Sequence, residues 1–530
     1  MFDLIIRNGL LIDGTGGPAR RGDLGVQEGR IAGLGDLAGA EAALSIDAAG
    51  RVVAPGFVDM HSHADMVLPA LPTADSLVRQ GITTAVVGQC GESPVPLLPA
   101  TRDLVIASHA SADCPLPWEA WTTFRSYYEH LSLLGTSLNV VPLVGQGTVR
   151  AAVLAHSAAA PSREQLAAMR REVARAMDEG AIGVSSGLIY PPGSYATTEE
   201  LVEVVRPAGE RGGYYYSHIR GEADRLLEAV AEAIHIGRET GAAVEISHFK
   251  AAGRANWDKA ERALDLIDRA RAEGLDVAAD MYPYLSGSSS LVSMLPEWAQ
   301  EGGVPAILAR LADPETRRSM SHDMDRIGFF RGAEWDQVLI AGAPARREVE
   351  GRYVADLAAE VGLSPHEWVF ETLAACRLDV QMISRYACEE NLERQLRRPW
   401  MAIGTDAGGR STQGPLSAGF PHPRNYGTFP RILARYVRER PVLTLEAAIH
   451  RMTGLAAERL RWRDRGLLKK GYAADIVVLD PDTVTDTATY EAPHRYPVGI
   501  EHVIVNGRPV VAGGRHTGAR PGRVLARGEA

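Results

Sequence analysis

Cysteine is scarce in this chain: Cys90, Cys114, Cys376 and Cys388 are the only four among 530 residues. They form no C-x-x-C pair and no disulfide framework, so a small cross-linked secreted fold is excluded. No uninterrupted apolar run is long enough to span a bilayer. The opening stretch MFDLIIRNGLLIDG carries Asp3 and Arg7 among its first apolar residues. It lacks the basic start, apolar core and small-residue cleavage site of a signal peptide, and a cytoplasmic location is expected. An excess of basic residues is also missing. The formal net charge is −10, which argues against nucleic acid or an anionic membrane as the main partner. No internal repeat or low-complexity tract stands out.

What remains is an ordinary globular composition, 45% hydrophobic and 23% charged, with length for two to four average domains or one large α/β barrel. Residues 1–55 and 466–530 read as short strands and turns. FDLIIRNGLLIDGTG and DLGVQEGRIAGLGD at one end, and ADIVVLDPDTV and IEHVIVNGRPVVAGG at the other, alternate apolar patches with Gly, Asn and Asp. Two β-rich ends around an α/β middle suggest a small β-sandwich built from both termini. Between them, residues 56–465 alternate strand and helix. Candidate strands lie at 57–63, 83–90, 138–145, 181–187, 214–218, 243–248, 276–283 and 401–406. Helical patterns at 163–179, 222–239 and 256–273 fall between some of them; in the first, Leu166, Met169, Val173 and Met177 share a face. Eight strands predict a (β/α)8 barrel of the TIM type, class α/β. VLIAGA at 338–343 is a ninth strand, assigned to an excursion over 286–398 that is expected to cover the site.

Barrel enzymes place their chemistry at the C-terminal ends of the strands. Those ends carry His61 and His63, then Cys90, His218, His248 and Asp406. Alternation along a strand puts both imidazoles of His-x-His on one side. Each residue alone has a plain structural reading: a hydrogen-bonded rim histidine, a turn-forming aspartate, a cysteine acting as a small buried hydrophobe. Six such groups at the ends of five strands favour a shared purpose. Imidazole, thiolate and carboxylate together suit zinc.

The chain also resembles the amidohydrolase superfamily, specifically its D-aminoacylase (N-acyl-D-amino-acid deacylase) branch. The motifs are NGLLIDGTG, VVAPGFVDMHSH, GQCGESPVP, SSGLIYPPG, YYYSHIRGE, EISHFK, DMYPYLSGS, HPRNYGTFPR and KKGYAADIVVLDPDTV, and they span nearly the whole chain. The resemblance implies one zinc held tightly by Cys90, His218 and His248, and a weaker second site at His61, His63 and Asp406. It implies hydrolysis of the amide bond of N-acyl-D-amino acids to a carboxylate and a free D-amino acid. Two departures stand out. The branch usually reads Ser-Asp-Gly where this chain has GTDAGG. Hydantoinase-like relatives bridge their metals through a modified lysine on strand four, where this chain has Ser185 and Ser186.

In such a reaction Asp406 is the expected proton shuttle. A substrate carboxylate calls for fixed cations. Lys250, two residues after His248, lies on the same face if the strand continues; Arg424 and Tyr282 are further substrate-binding candidates, and Tyr190 is a candidate pocket wall. Apolar substrate side chains are expected, because residues 285–309 contain no Lys or Arg but offer Leu291, Val292, Met294, Leu295 and Trp298. The alternatives are a cyclic-amide hydrolase or deaminase of the same superfamily, which should show a bridging lysine on strand four, and a non-catalytic scaffold, which should have lost the ligand set.

Overall fold

The computed structural model describes residues 1–109, 114, 116–326 and 334–528. The part of the predicted excursion at 327–333 lies outside the described residues.

Eight parallel strands close into a barrel: β1 (Phe57–Asp59), β2 (Ile82–Val87), β3 (Asn139–Pro142, resuming at Val144–Gly145), β4 (Gly183–Gly187), β5 (Tyr214–His218), β6 (Ala243–Ile246), β7 (Val277–Met281) and β8 (Met401–Ile403). Closure between β8 and β1 is carried by short backbone bonds. Met60 N–H donates to Ile403 O at 3.1 Å, Asp406 N–H to His61 O at 2.8 Å, and His63 N–H to Ala407 O at 2.9 Å. The same bonds bring His61, His63 and Asp406 together across the seam.

Local chemistry explains the surrounding helices. The helix Arg163–Asp178 starts at Ser162, whose hydroxyl accepts from Gln165 N–H while the Gln165 side chain returns a bond to Ser162 N–H. This reciprocal cap satisfies two N–H groups the helix cannot pair internally. Its buried face is Met169, Val173, Ala176 and Met177, the three- and four-residue spacing of a helix seated on a sheet.

Both chain ends join one nine-stranded sheet, in which Ile476–Leu479 pairs with Val52–Pro55. Leu24 and Val26 from one end pack in a single cluster with Ile476, Val478 and Ile504 from the other. The sheet therefore folds over its own core as a sandwich. The strand Val338–Gly342 stays out of the barrel, in an antiparallel sheet with Gln381–Arg385 and Ser286–Ser290. That sheet has a separate core, which contains Leu291, Met294 and Leu295.

Candidate metal centre

The turn after β2 builds the centre. Cys90 has φ of 53°, a left-handed conformation that costs an ordinary residue roughly 1–2 kcal/mol. His248 and Asp406 share this feature, with φ of 35° and 51°. Three of the six strand-end groups thus sit on strained backbone, a pattern that concentrates where function dictates side-chain direction. Neighbouring residues hold the Cys90 turn in place. Ser185 of β4 donates its hydroxyl to Gly88 O and accepts from Gly91 N–H at 3.0 Å, gripping the turn on both sides of Cys90. Gly187 is required beside it, since a Cβ there would lie 2.0 Å from Cys90 O. The serine at the strand-four end therefore supports the cysteine turn.

Cys90 Sγ lies 3.6 Å from His218 Nδ1, 3.4 Å from His248 Nε2 and 3.4 Å from His61 Nε2. A tetrahedral zinc with ordinary Zn–S and Zn–N lengths separates sulfur and nitrogen by about 3.5 Å. The donor set fits that ion. On the other side, Asp406 Oδ1 lies 3.2 Å from His63 Nε2 and 3.6 Å from His61 Nε2, so His61, His63, Cys90 and Asp406 form a second convergent group sharing the sulfur. Burial pushes the Cys90 thiol well up, and the negative charges of Asp406 and Glu92 add to this. A divalent cation would reverse that preference and deprotonate the thiol. Burial pulls His218 and His248 well below the usual histidine range, leaving them as neutral imidazoles able to ligate.

Burial also acts on Asp406 by raising its pKa, but the Arg424 guanidinium, helped by the His63 hydrogen bond, outweighs it and holds the carboxyl well below the usual range. Arg424 Nη1 is 2.8 Å from Asp406 Oδ2. Its guanidinium lies 4.8 Å over the Tyr282 ring, and its buried Nε has no protein hydrogen-bond partner among the described residues.

Lys250 reaches the site by an unexpected route. β6 ends at Ile246 and the left-handed turn at His248 breaks the extended path, so Lys250 does not share a strand face with His248. The side chain still arrives, with Nζ 2.7 Å from His248 Nδ1 and 2.5 Å from Glu222 Oε1. Lys250, Tyr190, Tyr282 and Arg424 line one cavity together with His218, His248 and Asp406. A wider surface cleft bounded by Tyr195, Thr198, Arg220 and Glu232 lies elsewhere and contains none of the six strand-end groups.

The segment 285–309 meets the cavity through Gly287, Ser288, Ser289 and Ser293. Leu291, Met294 and Leu295 are buried in the excursion's own core, Val292 packs against that core, and Trp298 donates to Asp323. The apolar residues expected to border the substrate instead hold the excursion together. Several residues beyond the sequence candidates support the site. Asp280 accepts from His248 N–H at 2.8 Å and sits 3.5 Å from His61 Nδ1; its place at the end of β7 was a usable signal. Tyr386 bonds Tyr282 through their hydroxyls. His422 accepts from Arg424 N–H at 3.0 Å and bonds Ser286 O at 3.0 Å. Glu222 had only its spacing of four residues from His218.

Known proteins share this architecture over their full length. An N-acyl-D-glutamate deacylase of Alcaligenes xylosoxydans xylosoxydans is 39% identical over 529 residues, covering 99% of this chain and 97% of that one. A D-aminoacylase of the same organism is 37% identical over 538 residues, covering 99% and 98%. The crystal structure of N-acyl-D-glutamate deacylase from Bordetella bronchiseptica, complexed with zinc and a phosphonate inhibitor that mimics the tetrahedral intermediate, superposes with a TM-score of 0.82 at 37% identity, covering 99% of both chains. The pattern of the amidohydrolase family matches residues 45–511. With the barrel, the two-ended sandwich and full-length likeness to these deacylases, this chain belongs to the amidohydrolase family, in its D-aminoacylase branch.

Proposed function

We propose that this protein is a zinc-dependent hydrolase of N-acyl-D-amino acids, releasing a carboxylate and the free D-amino acid. The observation that carries the reading is the buried Cys90–His218–His248 set, with S···N separations of 3.4–3.6 Å, opening into the cavity that holds Asp406, Lys250 and Arg424. In this reading Cys90, His218 and His248 hold a tight zinc, and His61, His63 and Asp406 a weaker second ion. Zinc, when bound, supplies Lewis acidity that polarises the amide carbonyl and makes water acidic enough to attack near neutral pH.

The chain's own groups supply the rest. Asp406 Oδ2 is engaged by Arg424, leaving Oδ1 on the histidine side to take the proton of the attacking water and pass it to the leaving nitrogen. Its depressed pKa keeps it ionised, so that Oδ1 carries no proton of its own before the water arrives. Lys250, Arg424 and Tyr282 receive the substrate carboxylate; Arg424 Nε, which has no protein partner among the described residues, and the Tyr282 hydroxyl, which takes its other hydrogen bond from Tyr386, supply donors beside the Lys250 charge. Tyr190 forms one wall, its ring 5.1 Å from that of His218.

For the substrate side chain the reading is a neutral group. Ile189, Tyr190 and Met382 offer apolar surface and the serines offer small uncharged walls, while the cavity's Lys250 and Arg424 are already assigned to the substrate's own α-carboxylate. An acidic side chain would lose water without gaining a free cation. As organisation, residues 56–465 form the barrel unit with its 286–398 cover, and 1–55 with 466–530 the sandwich. Four scattered cysteines with no C-x-x-C spacing support a cytoplasmic setting; among the described residues no helix is long and apolar enough to cross a membrane.

Screening N-acetyl-D- and N-acetyl-L-amino acids for amine release tests the proposal. Release confined to the D series is expected; hydrolysis of only L substrates, or of neither series by zinc-loaded protein, would overturn it.

A further inference from the structure

The six strand-end groups leave unexplained a buried carboxylate behind them. A single oxygen of Glu222, Oε1, lies 2.5 Å from Lys250 Nζ, 3.1 Å from His248 Nδ1 and 3.7 Å from His218 Nε2. Those two ring nitrogens are the outward ones. The inward pair, His248 Nε2 and His218 Nδ1, faces Cys90. Glu222 is buried, at the wall of the cavity that Lys250 and His248 line.

Counting donors shows why a carboxylate stands there. A neutral imidazole that offers one nitrogen to a metal carries its proton on the other. If His248 ligates through Nε2, then Nδ1 is an N–H donor. Its nearest polar neighbour is Lys250 Nζ at 2.7 Å, an ammonium that has only donors. Two donors would face each other with nothing between them to accept. Glu222 Oε1 is within reach of both. Without it, Lys250 would donate to a bare Nδ1, moving the ring proton to Nε2, the atom that faces Cys90. That tautomer cannot ligate through Nε2.

We propose that Glu222 is a positioning residue whose shared oxygen holds the Lys250 ammonium and the His248 Nδ1–H together, fixing the His248 tautomer that leaves Nε2 open to zinc. Metal retention and the placement of the carboxylate-binding lysine are thereby coupled through one oxygen atom. This inference rests on the zinc reading of Cys90, His218 and His248.

The experiment measures zinc transfer from purified, zinc-loaded protein to a chromophoric chelator for wild type, Glu222→Gln, Lys250→Met and the double variant. The visible spectrum of cobalt-substituted protein serves as a second readout. Glu222→Gln should weaken zinc retention by roughly 10–100-fold, the usual effect of removing a carboxylate behind a ligating histidine. Lys250→Met should retain zinc at least as well as wild type, because it removes the competing donor. In the double variant most of the Glu222→Gln loss should disappear. An equal loss in both backgrounds would show that Glu222 only supports the fold, and unchanged retention in Glu222→Gln would also overturn the inference. If Glu222→Gln does not fold, Lys250→Met still decides, since tenfold faster zinc loss from that variant contradicts the coupling. Wild-type protein that binds no zinc would overturn the hydrolase reading itself, and this one with it.

Discussion

Arg424 and Asp406 form a buried ion pair, Nη1 to Oδ2 at 2.8 Å, at the mouth of the barrel. The pairing occupies one carboxylate oxygen and leaves the other facing His61 and His63. Asp406→Asn keeps the shape but cannot shuttle a proton. Turnover should fall by about 10²–10⁴-fold while the tight zinc stays bound. Metal analysis alongside kcat checks this; near-normal turnover in zinc-loaded protein would require another base.

Gly187 and Cys90 meet backbone to side-chain position. A Cβ at Gly187 would sit 2.0 Å from Cys90 O, against a turn pinned by Ser185 on both flanks. Gly187→Ala should therefore displace the sulfur, destabilise the protein by about 1–3 kcal/mol and accelerate zinc loss. Thermal melting and chelator transfer measure the two effects, and a variant with wild-type zinc retention would show that the turn can yield.

The proposed neutral side-chain pocket predicts a substrate preference. kcat/KM for N-acetyl-D-leucine should exceed that for N-acetyl-D-glutamate, because Lys250 and Arg424 are assigned to the α-carboxylate and, among the described residues, the remaining walls carry no Lys or Arg. Preference for the glutamate substrate would mean that Lys250 and Arg424 serve both carboxylates or that another basic residue reaches the cavity.

The barrel and its strand-end groups were legible because both follow from periodic rules. Alternating strand and helix located β1 to β8, and the mouth of the barrel then selected His61, His63, Cys90, His218, His248 and Asp406. The structure brings all six within reach of one another as two groups sharing Cys90. Contacts set by irregular backbone were not legible. Lys250 arrives through a left-handed residue at His248, which no strand argument anticipates. Tyr386 and Ser289 come from the excursion, whose small sheet pairs residues about a hundred positions apart. Leu291, Met294 and Leu295 misled because an apolar run does not say which of two cores it enters; here it enters the excursion's. Glu222 sits beyond the end of β5, where loop geometry alone decides what its side chain meets.

The central claim is that zinc at Cys90, His218 and His248 drives cleavage of an N-acyl-D-amino acid. The most direct measurement titrates zinc into metal-free protein while following D-leucine release from N-acetyl-D-leucine, in wild type and Cys90→Ala. Wild-type activity should rise to a plateau near one equivalent of zinc, and Cys90→Ala should neither bind the ion tightly nor turn over. Full activity in the metal-free protein, or a Cys90→Ala variant that matches wild type at one equivalent, would contradict it.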